Sequence, residues 1–217
     1  QIVKCHLSTM ARLNVEYDLL CWEGDILRLQ FWSRAFEILK ATDAIYFQTS
    51  GPQSGCWVMP LANQENGQQS SSGTVSNEAN AELNTQTKII VRSNGTVTYV
   101  GKDIAYQFWK FGLLDRDFNY RFFSGQNSGH QLWSTTTGTS SNTPTTTNSA
   151  FGHSSVVYNV IDTRQSYLQQ LLKQALRAIG HESHAESSVH VSYEMVALSR
   201  STAIALGHEI DAENNRP

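Results

Sequence analysis

Proline, cysteine and charge are all scarce: four prolines, three cysteines and 16% charged residues in a chain of 217. With a formal net charge of −3, the chain lacks the basic footprint of a dedicated nucleic-acid binder. Any RNA contact has to come from local patches. No apolar run approaches the ~18 residues that a membrane helix needs, and Gln1-Ile2-Val3-Lys4-Cys5-His6 lacks the apolar core of a signal peptide. Cys5, Cys21 and Cys56 form no CxxC, and an odd number at wide spacing fits reduced thiols in a cytoplasmic protein. His181 and His184 are the only close histidine pair; they follow Gly180 without a cysteine partner, so a solvated turn is expected and no metal site. There is no G-x-G-x-x-G and no phosphate-binding P-loop. No Ser-His-Asp or Cys-His arrangement can be argued from spacing, which leaves covalent catalysis without a candidate and the catalytic residues unassigned.

What is present alternates helix and strand. Residues 25–40 read as one helix, with Asp25 as N-cap and Leu29, Trp32, Phe36 and Leu39 at helical spacing. Two apolar runs, 44–48 and 55–61, flank Gly51-Pro52 and predict a hairpin. A second hairpin is predicted on a type I′ turn at Asn94-Gly95, running into a helix that begins near Asp103. Residues 156–161 form a continuous apolar run typical of a buried parallel strand. A helix to about Ile179 follows, with Leu168, Leu171, Leu172, Ala175 and Leu176 on one face and Gly180 at its C′ position. Val189–Val196 reads as a strand, and Ser199 caps a short helix ended by Gly207. Residues 62–87 and 124–149 turn to Asn, Gln, Ser, Thr and Gly and read as insert loops, core elements resuming after each, by residue 153 for the second. The pattern predicts a mixed α/β fold with parallel core strands.

Chemistry concentrates at two strand-to-helix junctions, where ligands bind in open α/β sheets. At the first, Tyr99 and Asp103 suit a cation such as a guanidinium, the carboxylate pairing bidentately with the ring beside it. The competing reading is an ordinary first-turn aspartate, favoured there by the helix dipole. Lys102 is either a phosphate contact or a surface lysine, and Gly101 admits close backbone approach. At the second, Asp162-Thr163-Arg164-Gln165 ends the apolar strand; Gln165 both donates and accepts, which suits an ammonium or a ribose hydroxyl. Ordinary helix-start residues are the alternative. Glu23 and Glu37 read as solvated helix-face carboxylates.

Taken in order, these residues resemble the catalytic region of arginyl-tRNA synthetases, class I enzymes with a Rossmann-like core. The family's run "(K/R)SDGT-x-x-Y-x-x-(R/K)DIA" is similar to residues 92–105, with Tyr99 and Asp103 at its Tyr and Asp. The run "(Y/V)-V-(V/I)-D-x-R-Q" is similar to residues 158–165, and Leu13-Asn14-Val15-Glu16-Tyr17-Asp18 resembles "L-G-V-x-F-D". The resemblance implies that Tyr99, Asp103 and Gln165 line an arginine pocket, Asp103 on the guanidinium, with Lys102, Asp162 and Arg164 on the nucleotide side. It implies an arginine–tRNA ligase using ATP with Mg2+, L-arginine and tRNA(Arg), cytoplasmic, not membrane-bound and monomeric when complete. The alternative is a non-catalytic arginine- or RNA-binding module derived from that fold. Departures are Gly101-Lys102 for the family's Thr-Arg, Leu168 for a nucleotide-side His, Asn94 for Asp in the turn, and a longer stretch between the motifs. On this reading residues 1–217 are a partial catalytic domain with insert loops at about 62–87 and 124–153. The HIGH-type signature would precede Gln1, the KMSKS-type loop and the anticodon-binding domain would follow Pro217, and the isolated chain is expected to be inactive.

Overall fold

A computed structural model describes residues 1–61, 87–138, 151–194 and 198–207. Helix α1 (Ile2–Arg12) precedes a short strand β1 (Leu19–Leu20), then α2 (Glu23–Arg28) and α3 (Phe31–Ala41). Strands β2 (Tyr46–Phe47), β3 (Trp57–Pro60) and β4 (Thr87–Val91) form an antiparallel sheet. Helix α4 (Tyr99–Lys110) leads to the hairpin β5 (Asn119–Gly125) and β6 (Gln131–Thr136). Strand β7 (Val157–Asp162), a 3-10 turn (Thr163–Gln165), α5 (Ser166–Ala178), α6 (Glu182–Glu186), β8 (Ser188–Tyr193) and α7 (Arg200–Ala205) complete the described order.

The mixed α/β class with parallel strands is borne out. β1 joins β6 in parallel, and β7 pairs with β8 in parallel across a right-sized helical crossover. Among the described residues the strands form three small sheets, of order β1-β6-β5, β2-β3-β4 and β7-β8. The core lies between helices: Phe31, Ala35 and Leu39 of α3, Val100, Ile104 and Phe108 of α4, and Leu171, Ala175 and Leu176 of α5 are nearly or wholly buried. Each large side chain buried there contributes about 1.5–3 kcal/mol. Leu168 joins this core, so the position is spent on packing.

Several expectations need correction. The helix expected over 25–40 is two helices, because Gln30 takes a left-handed conformation (φ 61°) between them. Asp25 is not an N-cap; it lies inside α2, 5% exposed, and its carboxylate accepts a hydrogen bond from the Thr135 hydroxyl at 2.7 Å. The Asn94-Gly95 turn exists, but Gly95 (φ 80°) is its one left-handed residue. The Gly95 N–H donates to the Arg92 carbonyl and the Arg92 N–H to that of Thr96, a type I turn with a bulge in place of type I′. Its second arm is a single bridge, Val91 with Val97.

The polar stretch from residue 124 carries the end of β5 and all of β6, a hairpin where a loop was expected; residues 139–150, like 62–86, lie outside the described residues. Strand β7 is not buried on both faces: Val157 is inside, while Tyr158 and Val160 are exposed. Helix α5 covers one face of the β7-β8 pair, and among the described residues nothing covers the other. Gly180 holds its C′ place (φ 82°), and the Ser199 hydroxyl caps α7 by accepting from the Thr202 N–H. The strand expected over 189–196 runs from Ser188 to Tyr193, its last two positions lying outside the described residues.

Candidate functional site

Helix α4 starts at Tyr99, four residues before the expected start. Thr98 takes extended geometry and gives its hydroxyl to the Ile89 and Ile90 carbonyls, which fastens the helix start to β4. Tyr99 and Asp103 therefore sit one helical turn apart on one face, side by side and not across a junction. Tyr99 is 57% exposed. Asp103 is half-buried, and among the described residues its carboxylate has neither a hydrogen bond nor an ion pair. Burial pushes its pKa up, the nearby Glu23 carboxylate adds to the rise, and Lys110 and Lys102 oppose it. A partly desolvated carboxylate within electrostatic reach of a second one is a candidate cation receptor.

The Lys102 ammonium is paired with Glu23. Glu23 and Glu37 both keep the solvated-face positions expected of them, 71% and 67% exposed; Glu23 of α2 pairs with Lys102 of α4, and Glu37 lies 3.5 Å from Arg34. Gly101 serves packing in place of ligand approach, since a Cβ there would stand 2.8 Å from Val97 Cγ1 and 3.0 Å from Trp32 Cζ3.

At the second junction Asp162 and Arg164 satisfy each other. The Arg164 N–H and Nε donate to Asp162 Oδ1, both at 2.8 Å, and a terminal nitrogen donates to Oδ2 at 2.9 Å. This pairing holds the Asp162 carboxyl below, and the Arg164 guanidinium above, their ordinary ranges. Gln165 is exposed, with no hydrogen-bond partner among the described residues. Behind the two junctions lies a buried polar bridge. Lys110 donates to Asn159 Oδ1 at 2.9 Å and lies 4.7 Å from the centre of the Tyr106 ring; Gln107 donates to the Ser188 hydroxyl at 3.0 Å. Burial lowers the Lys110 pKa and raises those of Cys21 and Tyr106.

All three cysteines are free thiols. His181 and His184 approach to 3.2 Å between Nδ1 atoms, yet no group of three or more metal-ligating side chains occurs among the described residues.

These features describe a mixed α/β protein with a half-buried, unpaired carboxylate on the first turns of a helix. No family model matches the chain. Its sequence is 34% identical over 202 residues to the arginine–tRNA ligase of Deinococcus radiodurans, covering 93% of this chain and 30% of that protein. It is 31% identical over 196 residues to that of Thermococcus kodakarensis, covering 90% of this chain and 27% of that one. The solved arginyl-tRNA synthetase of Thermus thermophilus superposes with a TM-score of 0.64 at 29% identity, over 86% of this chain and 28% of that one. Over this segment the chain is a homologue of the arginyl-tRNA synthetases. It spans less than a third of the length of the curated relatives it matches.

Proposed function

We propose that this chain carries the arginine pocket of an arginine–tRNA ligase. The complete enzyme activates L-arginine with ATP and Mg2+ to arginyl-adenylate and passes it to tRNA(Arg). The observation that carries the reading is the unpaired, half-buried Asp103 carboxylate with Glu23 close by, in a chain homologous to enzymes named for arginine. A half-buried carboxylate with a second carboxylate within electrostatic reach suits a guanidinium, whose planar fork of donors can pair bidentately.

In this reading Asp103 pairs with the guanidinium, Tyr99 packs along the side chain, and Glu23 exchanges Lys102 for the substrate or shares it. Gln165 meets the amino-acid end, and Lys102, Asp162 and Arg164 belong to the nucleotide side. Catalysis rests on positioning and on charge stabilisation at the α-phosphoryl centre. Residues 1–217 form part of the catalytic domain, with its phosphate-stabilising signatures and anticodon-binding domain outside this chain. The isolated chain binds arginine without charging tRNA, and the complete protein works as a cytoplasmic monomer. No helix among the described residues is long and apolar enough to cross a membrane.

Calorimetric titration tests the pocket. L-Arginine is expected to bind and citrulline, its neutral isostere, to fail; equal affinity for the two would refute the assignment.

A further inference from the structure

At the opposite end of α4 from Tyr99 and Asp103, the chain brings two imidazoles together. Helix α5 stops in a Schellman turn: the Gly180 N–H donates to the Arg177 carbonyl and the His181 N–H to that of Leu176, both at 2.9 Å. Helix α6 begins one residue later, and the Ala185 N–H donates to the His181 carbonyl at 3.0 Å. His181 and His184 therefore lie three residues apart on one face, with their Nδ1 atoms 3.2 Å from each other. Neither side chain is fully solvated; both are half-buried. Phe111, which follows the last turn of α4, packs edge-on against His184 with ring centres 4.8 Å apart and fixes that ring from behind. Arg177, the basic side chain nearest the pair along the chain, is held by Glu182 and Glu186, so its charge is already compensated. Burial and the neighbouring His181 both lower the His184 pKa, which keeps the imidazole neutral with a lone pair to give.

The separation is what a tetrahedral ion demands. Two imidazole nitrogens bound to Zn2+ at about 2.0–2.1 Å and at the tetrahedral angle stand about 3.3 Å apart. We propose that His181 and His184 chelate a borderline divalent metal ion of the Zn2+ type through both Nδ1 atoms, with water completing its shell. No third histidine, cysteine, aspartate or glutamate joins the pair among the described residues, so the ion is exchangeable and not a permanent part of the fold. Imidazole donors select Zn2+, Ni2+ or Cu2+ and leave Mg2+ and Ca2+ to oxygen ligands. Without an ion, one Nδ1 donates a hydrogen bond to the other, and that bond keeps the two rings at the spacing the metal needs. The bound ion clamps the start of α6 to the end of α5, against the residue that closes α4, and stabilises the native chain because the unfolded one has no such pair preformed. This site is independent of the ligase reading: neither histidine belongs to the arginine pocket.

The test is calorimetric titration of the tag-free, reduced chain with Zn2+ and, separately, with Mg2+. One Zn2+ per chain is expected, with no heat from Mg2+. His181→Gln and His184→Gln should each weaken Zn2+ binding by at least the roughly ten-fold that loss of an outer-shell partner costs. All three cysteines are free and Cys5 is exposed, so thiols are the competing ligands. Cys5→Ser should leave the affinity unchanged, and Co2+ in place of Zn2+ should show no thiolate charge-transfer absorption. Imidazole resonances of the unaltered chain make the test independent of how the variants fold: those of His181 and His184 should shift together as Zn2+ is added, while those of His6 and His130 stay in place. Absence of Zn2+ binding overturns the proposal, as does wild-type affinity in both histidine variants. Loss of binding in Cys5→Ser, or shifts confined to other histidines, overturns it equally.

Discussion

Lys110, on the last turn of α4, donates its ammonium to the side-chain oxygen of Asn159, in the middle of β7, at 2.9 Å. The bond ties the helix that carries Asp103 to the strand that delivers Gln165. It also crosses a costly region, since the Asn159 amide nitrogen is buried with no partner among the described residues and burial depresses the Lys110 pKa. Buried polar groups of this kind are stable only while their partners stay in register.

Lys110→Met should therefore leave the Asn159 amide wholly unsatisfied and cost about 1–3 kcal/mol in urea denaturation. Replacing both residues, Lys110→Met with Asn159→Leu, should recover most of the loss, because two apolar groups leave nothing unpaired. Lys110 also opposes the rise in the Asp103 pKa. The single variant should accordingly move the pH midpoint of arginine binding upward, a change that loss of packing alone does not produce. An unmoved midpoint would restrict Lys110 to a structural role.

Gly101 sets two effects against each other. Alanine is the better helix former by about 0.8–1.0 kcal/mol, but its Cβ would lie 2.8 Å from Val97 and 3.0 Å from Trp32, both held in the core. Overpacking costs about 1–3 kcal/mol and should win, leaving Gly101→Ala less stable than the parent. A variant as stable as the parent, by thermal or urea unfolding, would show that Trp32 yields freely.

The elements that were legible in the sequence are those specified locally. The β7–α5 unit ended by Gly180, the Ser199 cap and the turn at Gly95 each depend on residues within a few positions. What was hidden depends on partners far away. Nothing near Gln30 announces a left-handed break; it lets both Ile26 and Phe31 reach the core. The Thr135–Asp25 bond spans 110 positions and the Lys102–Glu23 pair 79, so neither aspartate nor glutamate could be assigned its role from neighbours. Strand β6 escaped because Ser134 and Thr135, wholly buried, read as loop residues by composition. The site was half legible: the Tyr99 and Asp103 spacing was visible, whereas the approach of Glu23 to that face arises only when α2 is brought against α4.

Thr135 joins two distant segments through one hydroxyl. It accepts from the Trp22 N–H at 3.0 Å and donates to the buried Asp25 carboxylate at 2.7 Å. Thr135→Val keeps the shape but strips both bonds, leaving an unpaired donor and an unpaired acid next to each other. A loss of about 2–3 kcal/mol is expected, with Thr135→Ser close to wild type. Should valine and serine variants prove equally stable, the hydroxyl would have no part in holding α2 to β6.

Asp103 makes the sharpest separation between stability and function. Its folded-state pKa is raised, chiefly by burial, so in the window above the ordinary aspartate range the native state holds the proton more tightly than the unfolded chain does. Stability contributed by this group therefore falls as pH rises through that window, and at neutral pH the ionised carboxylate is a cost. Asp103→Asn should raise the melting temperature slightly at pH 7 and leave it unchanged at pH 3, where both states of the parent are protonated. Arginine binding should respond oppositely. It needs the carboxylate ionised, so affinity should decline on acidification at a higher pH than an unperturbed aspartate would give, and Asp103→Asn should lose about thirty-fold or more at pH 7. A variant that loses stability and binding together would mark Asp103 as a structural residue, whereas a more stable protein that no longer binds arginine marks a group held in the fold for its ligand.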